Sequence, residues 1–216
     1  MLLYFSALVM LPIEKVTAIS FVVPFFVTIL AVLFLGEKIY IYRTLALILG
    51  FIGMIVILRP GIINISIGVY MALASSLMWS VVIIITKSIA KDDSSITILS
   101  YGYTIMTILS FIIVLFYWQT PSLETLIYLF FAGLSGTLLH LCINHAYKLV
   151  DVSMTQPYSF LSLVFASLVG YFIFSETPDL FTWIGASIIF LGVFIMSYRE
   201  MKLDKEIIRK RIDIKS

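Results

Sequence analysis

Charged side chains interrupt an otherwise apolar chain at widely spaced points: Glu14, Lys15, Glu37, Lys38, Arg43, Arg59, Lys87, Lys91, Asp92, Asp93, Glu124, Lys148, Asp151, Glu176, Asp179 and a charged tail from Arg199. Between them lie uncharged runs at 1–13, 16–36, 44–58, 60–86, 94–123, 125–147, 152–175 and 180–198. Most match the roughly 17–25 residues a helix needs to cross about 30 Å of hydrocarbon. They are continuous rather than alternating and far longer than a barrel strand, so they predict helices. The pattern gives about eight spans and one fold class, an all-α polytopic membrane protein. The first run, Met1 to about Leu11, is short for a crossing and lacks the basic start and small-residue cleavage site of a signal peptide, so it reads as the end of a longer helix. The run 44–58 is short as well, and its helix is expected to borrow Tyr40 to Arg43 at the interface.

Composition narrows the function classes. Of 216 residues, 62% are apolar and 12% charged, and the mean hydropathy is +1.12, against about 45–50% apolar and about 25% charged in soluble proteins. A soluble enzyme is excluded. A formal charge of +2 with its basic excess at one end leaves no footprint for nucleic acid. The single cysteine, Cys142, forbids an internal disulfide and makes a cysteine metal site implausible, and no cofactor is expected. Counting Lys and Arg on alternate sides of the spans puts Lys38, Arg43, Lys87, Lys91, Lys148 and the seven basic residues of the tail together, against Lys15 and Arg59 opposite. Short basic loops stay in the cytoplasm, so both termini are expected there, in a multi-pass protein of the inner membrane. The tail, 199–216, reads as a solvated orientation signal, with contact to anionic membrane lipid as the alternative.

Slid against itself, the chain matches at an offset of 139: Ser20 falls on Ser159, Phe21 on Phe160, Phe26 on Phe165, Glu37 on Glu176, Phe51 on Phe190 and Gly53 on Gly192. Ala46 falls on Gly185 and Ala31 on Gly170. The fourth to eighth spans then form a five-helix unit, 66–198, and an odd number of helices sends the two copies across the membrane in opposite directions, as an inverted repeat. Carried back from Ser66, the offset asks for roughly 74 residues ahead of Met1. Residues 1–61 therefore read as an incomplete first copy. Three readings stay open: Met1 is an internal start within a whole ten-helix carrier, a second chain completes a cavity in a homodimer, or the chain is a remnant that inserts without enclosing one.

The residues Ala18-Ile19-Ser20-Phe21, Pro24, Leu35-Gly36-Glu37, Gly50-Phe51-Ile52-Gly53 and Arg59-Pro60-Gly61, echoed by Val164-Phe165-Ala166, Ser175-Glu176 and Gly192, resemble the drug/metabolite transporter superfamily, EamA type. Trp79 followed by Lys87 stands where that repeat places a Trp and a basic residue. The resemblance implies ten helices in two inverted copies, four of each around a cavity, and transport of a small-molecule solute by a secondary carrier. The departures are Leu163, where the second copy usually has Pro, and Ser175, where it often has Gly. Within the family the chain is similar to S-adenosylmethionine uptake carriers, which implies an amino-acid-like or S-adenosylmethionine-like solute, although the shared motifs are scaffold motifs and leave the substrate open.

In lipid, polar residues at helical spacing turn toward protein or a wet cavity. Gly133, Thr137, His140, Asn144 and Lys148 lie within about 80° at 100° per residue, as do Ser100, Tyr103, Thr104 and Thr107, and Thr155, Tyr158, Ser159 and Ser162. The second span offers Thr17, Ser20, Pro24 and Thr28, and the fourth Ser76, Trp79 and Ser80. Pro24 has no N–H, so the Ser20 carbonyl loses its helical partner. The candidate substrate-binding residues are Ser20, Pro24, Ser76, Trp79, Tyr103, Thr107, His140, Asn144, Tyr158 and Ser159. Each Ser or Thr has a bland reading, a hydroxyl bonded to its own helix. Gly133, Gly136, Ala46 and Gly50 read as close-packing positions, and Glu37 and Glu176 as helix caps. An intramembrane protease on Ser135 and His140 fails on geometry, since the two stand about 140° round and about 7.5 Å along one helix.

Overall fold

The computed structural model describes residues 2–59, 66–116, 118–174 and 178–213. Among these described residues ten α-helices follow one another: α1 Leu2–Met10, α2 Ile13–Ser20, α3 Val23–Leu35, α4 Ile41–Leu58, α5 Ile67–Ile89, α6 Ser95–Val114, α7 Leu123–Leu149, α8 Val152–Thr155, α9 Leu161–Phe174 and α10 Leu180–Asp213, with a 3-10 turn, Gln156–Phe160, between α8 and α9. Among the described residues seven stretches are long and apolar enough to cross a membrane. The first run forms α1, nine described residues long, fewer than a crossing needs. As expected, the helix of the third run, α4, reaches back to Ile41. The backbone of α10 runs on as helix through Asp213.

Helix ends follow local chemistry. Gly36 closes α3 at φ 67, a left-handed conformation open to a residue without Cβ, and the Glu37 N–H turns back to the Ala31 carbonyl at 3.3 Å. Arg59 does the same for α4 at φ 42 despite its side chain. Ser94, Ser122 and Asp179 accept the N–H of the residue three positions on, the usual N-terminal cap. Glu176, expected as a cap, lies outside the described residues.

The chain divides into two compact units, Met1–Ile84 with Val152–Ser216, and Ile85–Asp151. In the first, α4 and α10 lie side by side. They are antiparallel: Arg43 stands opposite Glu200, Gly53 opposite Gly185 and Arg59 opposite Asp179. A Cβ on Gly53 would sit 2.7 Å from the Gly185 carbonyl oxygen, and one on Gly192 would sit 3.3 Å from that of Ala46. Ala46 and Gly185, and likewise Gly53 and Gly192, are partners at the offset of 139, so one contact recurs with its roles exchanged. The core here is Ala18, Leu47, Met54, Phe160, Leu163, Val164 and Ile189, and a second cluster joins α1, α2 and α5 through Ala7, Val16, Ile19 and Ala72.

In the second unit α6 packs against α7. Lys87, at the end of α5, donates to the Tyr147 and Val150 carbonyls at 2.5 and 2.6 Å, placing a cation on the C-terminal carbonyls of α7. Gly133 and Gly136 do not close-pack here, since a Cβ on either would meet nothing within 4 Å.

Candidate functional site

Two of the spanning stretches are broken inside the apolar zone. The first runs Lys15–Leu35, but α2 stops at Ser20 and α3 starts at Val23. Around the break the ladder tightens: the Val22 N–H bonds Ile19 and the Phe25 N–H bonds Val22, each at 3.0 Å and three residues back. Pro24, buried at the start of α3, has no N–H for the Ser20 carbonyl. The second stretch runs Val152–Phe172 and passes through the 3-10 turn, where Pro157 is buried near the start. At the offset of 139 the two breaks overlap at Phe21 and Phe160, the second starting a few residues earlier with its proline, and they meet. The rings of Phe21 and Phe160 stack at 5.4 Å with 18° between planes. Phe160 is fully buried in the notch left by Gly50, where a Cβ would come within 2.5 Å of its ring. Interrupted helices release backbone carbonyls from the ladder, and within a membrane such backbone persists only against protein or a wet cavity. Corresponding interruptions in the two halves are the strongest structural pointer to a binding site in a repeat carrier.

Of the sequence candidates, Ser20, Pro24, Ser76, Trp79, Tyr158 and Ser159 belong to this unit. The Ser20 hydroxyl donates to the Val16 carbonyl at 2.9 Å, Ser76 to Ala72 at 2.9 Å and Ser159 to Gln156 at 2.7 Å. Their protons are spent on their own helices, and their lone pairs are left to accept. Tyr158 shares a 2.7 Å hydrogen bond with the Ser197 hydroxyl of α10. Ser20, Pro24, Tyr158 and Ser159 flank the stacked phenylalanines in sequence. Trp79 is exposed and Ser76 buried on α5, next to Ser80, whose hydroxyl donates to the Ser76 carbonyl at 2.8 Å and approaches that of Val23, just past the first break, at 3.4 Å.

Tyr103, Thr107, His140 and Asn144 belong to the other unit. Tyr103 and His140 meet edge to face at 6.3 Å between ring centroids, Asn144 is buried, and Thr107 is exposed on α6, its carbonyl accepting from Ser110 at 3.2 Å.

Several polar groups escaped the reading of the sequence. Gln156 is buried in the second break and donates from Nε2 to the Val152 carbonyl and to the Thr155 hydroxyl, both at 3.1 Å. Arg43, counted only as an orientation charge, is buried: it donates to Ser153 Oγ at 3.0 Å and to Glu200 Oε1 at 2.6 Å. Glu37 is the expected cap, with Oε1 and Oε2 accepting the N–H groups of Val152 and Ser153 at 2.8 and 3.0 Å. At the other end of α4, Arg59 pairs with Asp179 and covers the Phe181 ring at 4.0 Å. That guanidinium, with the N–H and hydroxyl of Thr182, holds the Asp179 carboxyl down to about 2 from its ordinary 3.8.

A family model described as the EamA-like transporter family matches residues 1–59 and 66–198. S-adenosylmethionine uptake transporters of Rickettsia bellii and Rickettsia felis are each 35% identical over 191 residues, 88% of this chain and 66% and 65% of theirs. A riboflavin transporter of Vibrio cholerae is 30% identical over 192 residues, 88% of this chain and 64% of its own. The chain thus spans just under two thirds of the length of these relatives. A protein crystal structure superposes with a TM-score of 0.81 at 18% identity, covering 94% of this chain and 73% of the other, a likeness of fold alone.

Proposed function

Because the chain belongs to the EamA-like transporter family, we propose that it works as a secondary carrier, moving a small metabolite across the inner membrane by alternating access. The observation that carries this reading is the meeting of the two helix breaks at Phe21 and Phe160. The solute path runs past Ser20, Pro24, Tyr158 and Ser159 at the breaks and past Ser76 and Trp79 on α5; Tyr103, Thr107, His140 and Asn144 are the candidate solute contacts on α6 and α7. These groups are aromatic rings, hydroxyls and amides, which suit a polar solute bearing a flat ring. The relatives named for S-adenosylmethionine uptake make an S-adenosylmethionine-like solute the first choice.

Residues 1–61 and 66–198 are read as repeats of opposite direction, which the antiparallel course of α4 and α10 supports. The basic residues favour both termini in the cytoplasm. Uptake of labelled S-adenosylmethionine and riboflavin into cells expressing the protein tests the carrier reading. Flux above that of an empty-vector membrane is expected, and Pro24→Ala, His140→Ala and Asn144→Ala should each lower it. Flux from the wild type that all three substitutions leave unchanged would sink the path, and no flux of either solute would sink the reading of its substrate.

A further inference from the structure

The network that joins Glu37, Arg43, Ser153 and Glu200 is built on four pieces of chain: the turn after α3, the start of α4, the start of α8 and the cytoplasmic-side half of α10. It is shielded from water, with the side chains of Arg43 and Glu200 only 5% and 13% exposed. The other end of the α4 and α10 pair carries, among the described residues, the ion pair of Arg59 with Asp179, whose side chains are 47% and 48% exposed. An exposed pair exchanges its partner for water at little cost, whereas a buried, hydrogen-bonded charge resists separation because it would be left without a partner. One end of this helix pair is therefore tied and the other loosely held.

The tied end also leads directly to the second break. Glu37 and Arg43 hold Val152 and Ser153, and the Val152 carbonyl accepts from the Gln156 carboxamide, which opens the 3-10 turn carrying Pro157, Tyr158 and Phe160. The grip is on the first two of the four residues of α8, so only Met154 and Thr155 separate it from the turn, too short a piece to absorb a displacement by bending. A shift of the turn around a solute is thus passed to the two N–H groups held by Glu37 and to the hydroxyl held by Arg43.

We propose that this network is a two-state latch: made, it holds the Glu37 end of the solute path shut; broken, it lets that end open. The latch rests on the carrier reading above, but its test needs no solute. With Cys142→Ser as background and Ser159→Cys as reporter at the break, the rate of labelling by a membrane-impermeant maleimide is measured from each face of the membrane in sealed vesicles of either orientation. Glu37→Gln and Glu200→Gln are expected to raise labelling from the face bearing Glu37 by about tenfold, by shifting the population toward the opened state, and to lower it from the opposite face. Asp179→Asn, which removes the pair at the other end, should not raise labelling from the Glu37 face. Should the two carboxylate variants fail to insert, Ser153→Ala removes one hydrogen bond of the network and should raise the same rate by about threefold. Labelling equal to the parent's in inserted variants, or raised equally from both faces, overturns the latch. Absent uptake with shifted labelling overturns the choice of solute and leaves the latch standing.

Discussion

Gly53 and Gly133 are both mid-helix glycines in apolar surroundings, and they call for opposite outcomes. A methyl on Gly53 would strike the Gly185 carbonyl oxygen at 2.7 Å, and backbone cannot rotate out of the way as a side-chain tip can. Gly53→Ala should therefore force α4 and α10 apart, at a cost of about 1–3 kcal/mol, read as a lower Tm in detergent. Gly133→Ala meets open space and should hold or raise the Tm, since Ala in a helix is better than Gly by up to about 1 kcal/mol. The two sites look alike in sequence because small residues mark a helix whether or not another helix arrives. The charged end of α4 gives a second residue-level prediction. Asp179 titrates at about 2 in the folded chain against an ordinary 3.8. A lowered folded value means its contribution is complete above the ordinary value and is lost as pH falls from there through about 2. The Tm of wild type and Asp179→Asn should thus differ slightly at neutral pH and converge at the acid end; a gap that persists there would refute the pairing.

The helix breaks were half legible. Pro24 stands inside an apolar run, where a missing N–H can only interrupt a ladder, so the Ser20 carbonyl could be picked out from sequence. Pro157 was not singled out, although it is the sixth residue of its run and lacks an N–H for the ladder as Pro24 does. Leu163 stands where the family resemblance leads one to look for proline. The bend is there regardless, moved earlier with its proline. The hydroxyls of Ser20, Ser76 and Ser159 were legible as stripes but not in their aim, because a serine in lipid satisfies its proton on its own helix before it looks outward. Pro24→Ala restores an N–H for Ser20 and lets α2 and α3 fuse into one helix. Relief of a helix-interior proline, worth about 3 kcal/mol in an exposed helix, should keep or raise the Tm while solute flux falls. A straight loss of both would mean that the break is a packing feature with no part in transport.

Across the whole molecule, membrane orientation rests on counting charges, while the direction of the helices rests on contacts, and the two can be set against each other. Twelve basic residues on one side against Lys15 and Arg59 on the other place Lys38 and Lys202 on the same face. Independently, the ion pairs Arg43 with Glu200 and Arg59 with Asp179 require α4 and α10 to run in opposite directions, so the chain just before α4 and the chain just after the span of α10 must share a face. The agreement is not forced, because the contacts carry no information about which face is cytoplasmic. What the sequence could not disclose is that Arg43, one of those orienting charges, is buried: its place at the interface looks identical in sequence whether water or Glu200 meets it. The proposed orientation predicts that a reporter active only outside the cytoplasm is silent when fused after Ser216 and active when inserted at Thr120, between α6 and α7. The reverse result at both sites would invert the charge rule for this chain but keep the helix pairing. Activity at Ser216 together with silence between Lys38 and Ile41 would break the antiparallel pairing itself, because those two points must lie on one side of the membrane for Arg43 to reach Glu200.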